Sequence, residues 1–391
     1  MTVPSLGVGM IGYAFMGAAH SQAWRTAGRF FDLPLAPDMA VICGRDADAV
    51  QAAATKLGWR GAETDWKRLL GRDDVQLIDV CTPGDSHAEI AIAALDAGKH
   101  VLCEKPLANT VDEARAMVAA AERARESGVR SMVGFNYRRV PAVALARRLV
   151  EEGRIGQVRH VRATYLQDWI VDPEFPLVWR LQKDKAGSGA LGDIGAHIVD
   201  MAQFVTGDVI SGVTAMTETF VKERPLAEGS SGLSASGATE RGPVTVDDTA
   251  LFLARFAGGA VATFEATRFA TGRKNALRLE VNGSAGSLAF DFESMNELWF
   301  YDGADDPDVG GFRRILVTEP THPYAGAWWP PGHGLGYEHS FTHEIVDLVR
   351  DIGEGRDPSP SFADGLQVQL VLDAVSRSAE SGSQWQSVEE R

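Results

Sequence analysis

Cysteine is scarce in this sequence: Cys43, Cys81 and Cys103 are three in number, with no Cys-x-x-Cys or Cys/His spacing among them. An odd, widely spaced set argues against a disulfide framework and a structural zinc site. Each thiol sits in or at the end of an apolar strand-like run, where it packs like a small hydrophobe. His333, His339 and His343 have no carboxylate in matching spacing, so no metal is expected. Long hydrophobic runs are also missing. Stretches such as Leu77–Val80 and Val143–Leu149 are broken by charge well short of the ~20 apolar residues of a membrane span. Positive charge is in deficit: 38 Lys and Arg stand against 53 Asp and Glu, a net charge of −15. Spread along the chain, that balance lacks the basic footprint that holds a phosphate backbone, so nucleic acid is not an expected partner. The first residues, Met1-Thr2-Val3-Pro4-Ser5, show no basic segment before the first strand-like run, which makes the cytoplasm the expected location.

What the sequence has is length and alternation. Its 391 residues exceed the roughly 250–300 at which single cores stop growing, so two domains are expected. Strand-like runs at Leu6–Ile11, Met39–Cys43, Leu77–Cys81, His100–Cys103 and Arg130–Phe135 alternate with helical periodicity over Met16–Ala27, Ala47–Leu57, Asp85–Ala97 and Val111–Ser127. Several of these strands are apolar without alternation, as in a parallel sheet covered on both faces. The series predicts a doubly wound α/β Rossmann domain over residues 1–136.

From residue 137 the texture changes. After a helical stretch at Ala142–Glu152 come the β-rich segments Val158–Leu166, Val209–Val221, Thr249–Phe256, Ala260–Arg268 and Ala276–Val281, several of them separated by turn signals such as Asn282-Gly283. These predict an α+β domain over 137–391 built on a large, mainly antiparallel open sheet. Helical patterns near His339–Arg350 and Ala363–Ser381 close the chain and are candidates to pack back on the first domain. The Gly-, Ser- and Ala-rich stretch Ala227–Gly242 is expected to be a mobile surface loop.

Gly7-x-Gly9-x-x-Gly12 matches a dinucleotide-binding pattern only as a string, because its first two glycines fall inside the first strand. The loop that follows the strand and opens a helix is Gly12-Tyr13-Ala14-Phe15-Met16-Gly17. There the first glycine makes the tight turn, a small second residue lets backbone amides approach a pyrophosphate, and the third permits close helix–strand packing. Ala14 crowds that approach slightly. At the start of a complete βαβ series the loop points to NAD(P). The second strand ends Cys43-Gly44-Arg45-Asp46, with Gly44 where an acidic residue often holds the ribose hydroxyls of NAD. Arg45 either contacts a 2′-phosphate, which tilts the expectation toward NADP(H) or dual use, or faces solvent beside Asp46, or stacks on adenine.

Cys81-Thr82-Pro83 ends another strand at the carboxyl edge where such sheets bind ligands. His87 opens the next helix, either against the cofactor or bonded to backbone. Next, His100-Val101-Leu102-Cys103-Glu104-Lys105-Pro106 places an ion-pair-capable doublet at a strand end, locked by proline. Further on, Gly187-Ser188-Gly189-Ala190-Leu191-Gly192-Asp193-Ile194-Gly195-Ala196-His197 sets Asp193 and His197 four residues apart, which on a helix puts both on one face. The phosphate loop followed by His20, then Thr82-Pro83, Glu104-Lys105-Pro106 and the 187–197 run together resemble the glucose-fructose oxidoreductase/inositol dehydrogenase (Gfo/Idh/MocA) family. The resemblance extends to the closing Ser361–Ser381 stretch.

That resemblance implies an NAD(P)-dependent enzyme that oxidises a secondary ring hydroxyl of a sugar, anhydrosugar or cyclitol. It implies Lys105, Asp193 and His197 as the catalytic set. It places the cofactor against Gly12, Ala14, Phe15, Met16, Gly17, Gly44, Arg45, Thr82, Pro83, His87, Glu104, Lys105 and Asn136. The chemistry agrees, since hydride transfer to a nicotinamide needs a base for the alcohol proton. A lysine near a cationic ring and another basic group has its pKa lowered into a useful range; His197 starts nearer neutrality and is the alternative acid/base. Plainer readings stand beside these: Lys105 pairing with Glu104, His197 as a satisfied buried histidine, Asp193 as a first-turn helix residue. The segments Phe135–Arg139 and Tyr165–Trp169 look most like the family's sugar-oxidising members. Lys105, Tyr137, Tyr165, Gln167, Asp168, Trp169, Asp193 and His197 are therefore the expected substrate contacts, combining flat apolar faces with directional donors and acceptors. The same site run backwards reduces a keto- or imino-substrate. A catalytically silent, cofactor-sensing regulator is the alternative of another class, and the lysine argues against it. The open sheet has a face that something must cover, so a homo-oligomer, dimer or tetramer, is expected.

Overall fold

The computed structural model describes residues 3–231 and 234–388. They fall into two compact units, one taking in the chain up to Asn136 with Tyr337–Leu366, the other Tyr137–Gly336 with the chain from Gln367 onward. In the first unit six parallel strands, β1 (Ser5–Ile11), β2 (Ala36–Cys43), β3 (Gly61–Glu63), β4 (Leu77–Val80), β5 (His100–Glu104) and β6 (Ser131–Gly134), lie in the order β3-β2-β1-β4-β5-β6. Helices α1 (Phe15–Phe30), α2 (Ala47–Leu57), α3 (Lys67–Leu70), α4 (His87–Asp96) and α5 (Val111–Glu126) connect them. Val8, Met10, Leu77, Ile78, Val80, Val101 and Leu102 are all buried, which is why these strands read as apolar runs without alternation. The strand order reverses between β1 and β4, so their carboxyl ends flank the crevice where open α/β sheets hold ligands. Gly7 belongs to the strand for a reason of space: a Cβ there would lie 1.9 Å from the Asp74 carbonyl oxygen. β3, three residues long, is too short to leave a periodic signal.

The second unit begins with α6 (Pro141–Glu151), β7 (Val158–Leu166), α7 (Lys183–Ala186) and α8 (Ala196–Thr206). Strands β8 (Ile210–Glu218), β9 (Glu223–Ser231), β10 (Ser234–Pro243), β11 (Thr249–Phe256), β12 (Val261–Thr267), β13 (Ala276–Gly283), β14 (Gly286–Asp291), β15 (Glu297–Asp302) and β16 (Arg313–Leu316) follow. The chain then forms α9 (Tyr337–Glu354), which belongs to the first unit, α10 (Phe362–Glu380), whose residues up to Leu366 fall in the first unit and the rest in the second, and β17 (Gln386–Ser387) in the second. Nine strands make one sheet in the order β16-β15-β14-β13-β7-β12-β11-β8-β17, antiparallel except where β12 runs parallel to β7. α8 lies against β7 and β13, whose Val161, Ala163, Leu277 and Leu279 are buried. The opposite face carries the exposed Met216, Leu251, Leu253 and Val261, with Leu251 paired directly to Met216.

The stretch Ala227–Gly242 is strand rather than loop. Outside residues 232 and 233, which lie beyond the described residues, it forms most of the antiparallel β9–β10 hairpin. Backbone pairing needs no bulky side chain, and the hairpin is stapled from its base. The buried Arg224 donates to the carbonyls of Ile170 at 2.6 Å, Asp172 at 2.7 Å and Phe175 at 3.1 Å. Beneath it Ile170, Leu177, Val178, Leu181, Val244 and Val246 form a separate apolar cluster. Among the described residues no helix is long and apolar enough to cross a membrane.

Candidate active site

In the first unit β1 ends at Ile11 and the chain turns at Gly12, whose φ of +103° only glycine adopts without strain. A Cβ on Gly12 would also sit 2.6 Å from the Cys81 carbonyl oxygen, and one on Gly17 would sit 2.2 Å from the Gly12 carbonyl oxygen. α1 therefore starts pressed against the turn. Ala14 is its N-cap, with no side-chain cap bond and no acidic residue in the first turn. Open N–H groups at the positive end of a 16-residue helix suit a pyrophosphate. Phe15 is exposed and stacks on Tyr337, ring centroids 6.3 Å apart. Gly44 has its own explanation: a Cβ would lie 1.9 Å from the Tyr13 ring, so Tyr13 occupies the space an acidic side chain would need. Arg45 is exposed, and Asp46 is committed to capping α2, accepting from the Ala49 N–H at 2.8 Å.

The turns after β4 and β5 are tied to each other. His87 is buried, with Nε2 2.9 Å from the Thr82 carbonyl and Nδ1 3.0 Å from the Pro106 carbonyl. Of its two expected roles, bonding to backbone is what the side chain does in this structure. Glu104 faces inward rather than serving the surface. Its Oε1 lies 2.9 Å from His20 Nε2 and its Oε2 accepts the Lys105 N–H at 3.1 Å. His20 Nδ1 lies 3.0 Å from both oxygens of Asp79, which also accepts the Trp24 indole N–H at 2.7 Å. Burial is the largest single influence on His20 and opposes its charge, but Asp79 and Cys81 together outweigh it and hold the pKa well above the ordinary value. An imidazolium between two buried carboxylates thus fixes the backbone from which Lys105 projects. Asn136 gives its Nδ2 to Ser340 Oγ at 2.8 Å.

In the second unit Tyr137 and Tyr165 lie against His197. Tyr137, Tyr165 and His197 are all buried, and the His197 ring centroid lies 4.5 Å from that of Tyr137 and 6.0 Å from that of Tyr165. Arg138 holds Tyr137 in place through a buried ion pair with Asp200 on α8, Nε to Oδ2 at 2.9 Å. A chain of hydrogen bonds then runs from Tyr137 to Tyr165 (2.8 Å), to Asn275 (2.8 Å), to Gln167 (2.7 Å) and to Trp169 (3.0 Å). Asp168, next to Gln167 in sequence, is held by the 272–274 turn. It accepts from Lys274 Nζ at 2.7 Å and the Gly272 N–H at 3.0 Å, and the Lys274 hydrogen bond leads in holding its pKa low.

Asp193 and His197 do not share one regular helix. Leu191–Gly195 is a π-helical turn that leads into α8, so α-helical spacing does not carry across it. The turn is capped from a distance: Asp247 accepts the N–H of Gly189 at 2.7 Å and of Leu191 at 2.8 Å. Asp193 meets the fully buried Arg268 guanidinium at 3.5 Å, and that guanidinium lies 5.5 Å from the Trp169 ring centroid. Burial lowers the pKa of the neighbouring Arg180, while Asp193 works in the opposite direction. Arg268, Asn275 and Asp247 carry no motif, and sequence reasoning missed all three.

Comparison with known proteins covers both units. The model of the oxidoreductase family NAD-binding Rossmann fold matches residues 6–135, and that of the GFO/IDH/MocA C-terminal domain matches residues 143–289. Levoglucosan dehydrogenase of Pseudarthrobacter phenanthrenivorans is 45% identical over 380 residues, 96% of each chain. The crystal structure of an oxidoreductase domain protein from Kribbella flavida superposes with a TM-score of 0.95 at 71% identity, covering 99% of this chain and 100% of that one. A levoglucosan dehydrogenase solved in complex with NADH and levoglucosan gives 0.92 at 44% identity, with the same coverage.

Proposed function

The chain belongs to the Gfo/Idh/MocA oxidoreductase family, and on that premise we propose that it oxidises a secondary ring hydroxyl of a sugar or anhydrosugar, levoglucosan foremost. The observation that carries this reading is the polar and aromatic chain beside His197, Tyr137-Tyr165-Asn275-Gln167-Trp169. It offers flat faces and directional hydrogen bonds together, as a pyranose ring requires. The likeness to levoglucosan dehydrogenase supports the same substrate class.

A dinucleotide fits the first unit on the unit's own terms, through the Gly12 turn, the uncapped start of α1 and the Tyr13–Gly44 contact. When bound, the nicotinamide supplies the two-electron acceptor at its C4. Tyr137, Gln167 and Trp169 orient the ring, and Asp193, steadied by Arg268, offers acceptors to its hydroxyls. The carbinol C–H bond breaks with its electron pair leaving carbon, the O–H proton passes to Lys105 or His197, and the carbonyl forms. The relatives solved with NADH favour NAD, and the exposed Arg45 favours tolerance of NADP. Self-association through the open face of the nine-stranded sheet, and work on the cytoplasmic cofactor pool, belong to the same proposal.

The purified protein is expected to form NADH with levoglucosan in a panel of sugars, anhydrosugars and inositols. No turnover with either cofactor, in either direction, overturns the proposal. Losing the proton acceptor costs kcat about 100–10,000-fold. Comparison of Lys105→Ala with His197→Ala identifies the acceptor, because its loss removes the matching limb of the kcat/KM pH profile.

A further inference from the structure

The polarity of the hydrogen-bond chain in the second unit can be worked out from its Trp169 end. An indole N–H is a donor only, so Trp169 Nε1, 3.0 Å from Gln167 Oε1, settles which end of the Gln167 amide faces it. Gln167 Nε2 then donates to Asn275 Oδ1 at 2.7 Å, which settles the Asn275 amide as well. Tyr165 Oη, 2.8 Å from the same oxygen, has to donate to it. Having given its one proton, Tyr165 accepts from Tyr137 Oη at 2.8 Å. The antiparallel register, Ala276 opposite Leu166, sets Asn275 across from Gln167 and makes the chain possible.

Gln167 Nε2 has placed one of its two hydrogens, and one amide nitrogen has placed neither. Asn275 Oδ1 takes two hydrogen bonds, yet the two hydrogens on Nδ2 find no acceptor among the described residues, at a half-buried position. A donor fixed in orientation and lacking a protein partner is costly unless something supplies an acceptor. The adjacent cations are paired, Lys274 with Asp168 at 2.7 Å and Arg273 with Glu293 at 3.4 Å, which leaves a neutral donor suited to a neutral oxygen. We infer that Asn275 is a specificity-determining residue whose Nδ2 donates to one hydroxyl or ring oxygen of the polyol substrate. The inference rests on the sugar-oxidation reading and adds the atom that reads the substrate.

The test uses the sugar that the wild-type enzyme oxidises best together with its monodeoxy analogues, on wild type, Asn275→Ala and Asn275→Asp. The asparagine-to-aspartate change keeps the size and the Oδ1 acceptor and replaces the donor with a charged acceptor, so it serves where alanine loosens the fold. Both variants are expected to raise KM about 10–100-fold, the loss of one hydrogen bond from a half-buried donor. The NADH Kd, read by fluorescence, should hold. The decisive readout is that removing oxygen at one ring position costs the wild-type enzyme kcat/KM and costs the variants nothing further. A purely structural role would instead leave the deoxy penalties the same in all three proteins, and that outcome overturns the inference while the enzyme remains active. A wild-type protein inert toward every sugar overturns the underlying reading and this inference with it.

Discussion

The His20 ring lies between Asp79 and Glu104 with both nitrogens engaged and with the Phe341 ring beside it, centroids 5.5 Å apart. Its folded pKa stands above the unfolded value of about 6.5. The stabilisation is therefore complete below about pH 6.5 and drains away as pH rises through the folded value. Removing the charge strands two buried carboxylates, so His20→Gln should cost about 3–5 kcal/mol at neutral pH. Urea unfolding of wild type and variant over about pH 6–9 checks both points, the gap narrowing upward; a constant gap would refute the linkage. Arg268 makes the second residue-scale prediction. Arg268→Met takes the guanidinium from Asp193 and is expected to lower kcat/KM about 10–100-fold, with the NADH Kd unchanged. Residues of this kind are hard to read from sequence. His20, Lys105 and His197 lie in spaced patterns, whereas Asn275 and Arg268 stand alone and acquire meaning only when strand register brings them beside Gln167 and Asp193.

Elements with strong local periodicity were legible. β7 and β11 run as predicted, Val158–Leu166 and Thr249–Phe256, and α2 begins and ends at the predicted Ala47 and Leu57. Moving the phosphate loop to Gly12–Gly17 agrees with where β1 stops and α1 starts. Misreadings fell where local chemistry and tertiary context diverge. β9 and β10 look like a linker by composition and are held by Arg224, while Leu191–Gly195 counts like an α-helix and folds as a π turn. The start of that turn depends on Asp247, 56 to 58 residues further along the chain. Asp247→Ala is expected to cost about 1–2 kcal/mol, as a lost helix cap does, and to lower kcat because Asp193 and His197 lose their footing. A thermal melt alongside steady-state kinetics tests this, and an unchanged kcat would separate the cap from catalysis. Gly12→Ala should weaken NADH binding in a titration, since its Cβ meets the Cys81 carbonyl at 2.6 Å.

The whole molecule presents Met216, Leu251, Leu253 and Val261 side by side on the uncovered face of the nine-stranded sheet. An apolar patch of that kind is the surface the proposed self-association would use. Light scattering should find an oligomer in the wild type and a smaller species for Leu253→Glu; a wild-type monomer at working concentration contradicts this. The way the chain is divided has a further effect, on timing. The nucleotide-binding unit takes α9 and its flanks from beyond Gly336, with Phe341 beside His20, Ser340 bonded to Asn136, and the Val133 N–H given to the Pro360 carbonyl at 3.1 Å. On the ribosome all six strands of that unit are made before Tyr137–Gly336 is synthesised, a wait on the order of tens of seconds at ~5–20 residues per second. Throughout it α1 has no α9 to rest on, and His20 lacks the ring that shields it. The first part of the protein to be made is thus among the last to be completed, because contacts that its first 136 residues make are supplied only once Tyr337 and the residues after it have been synthesised.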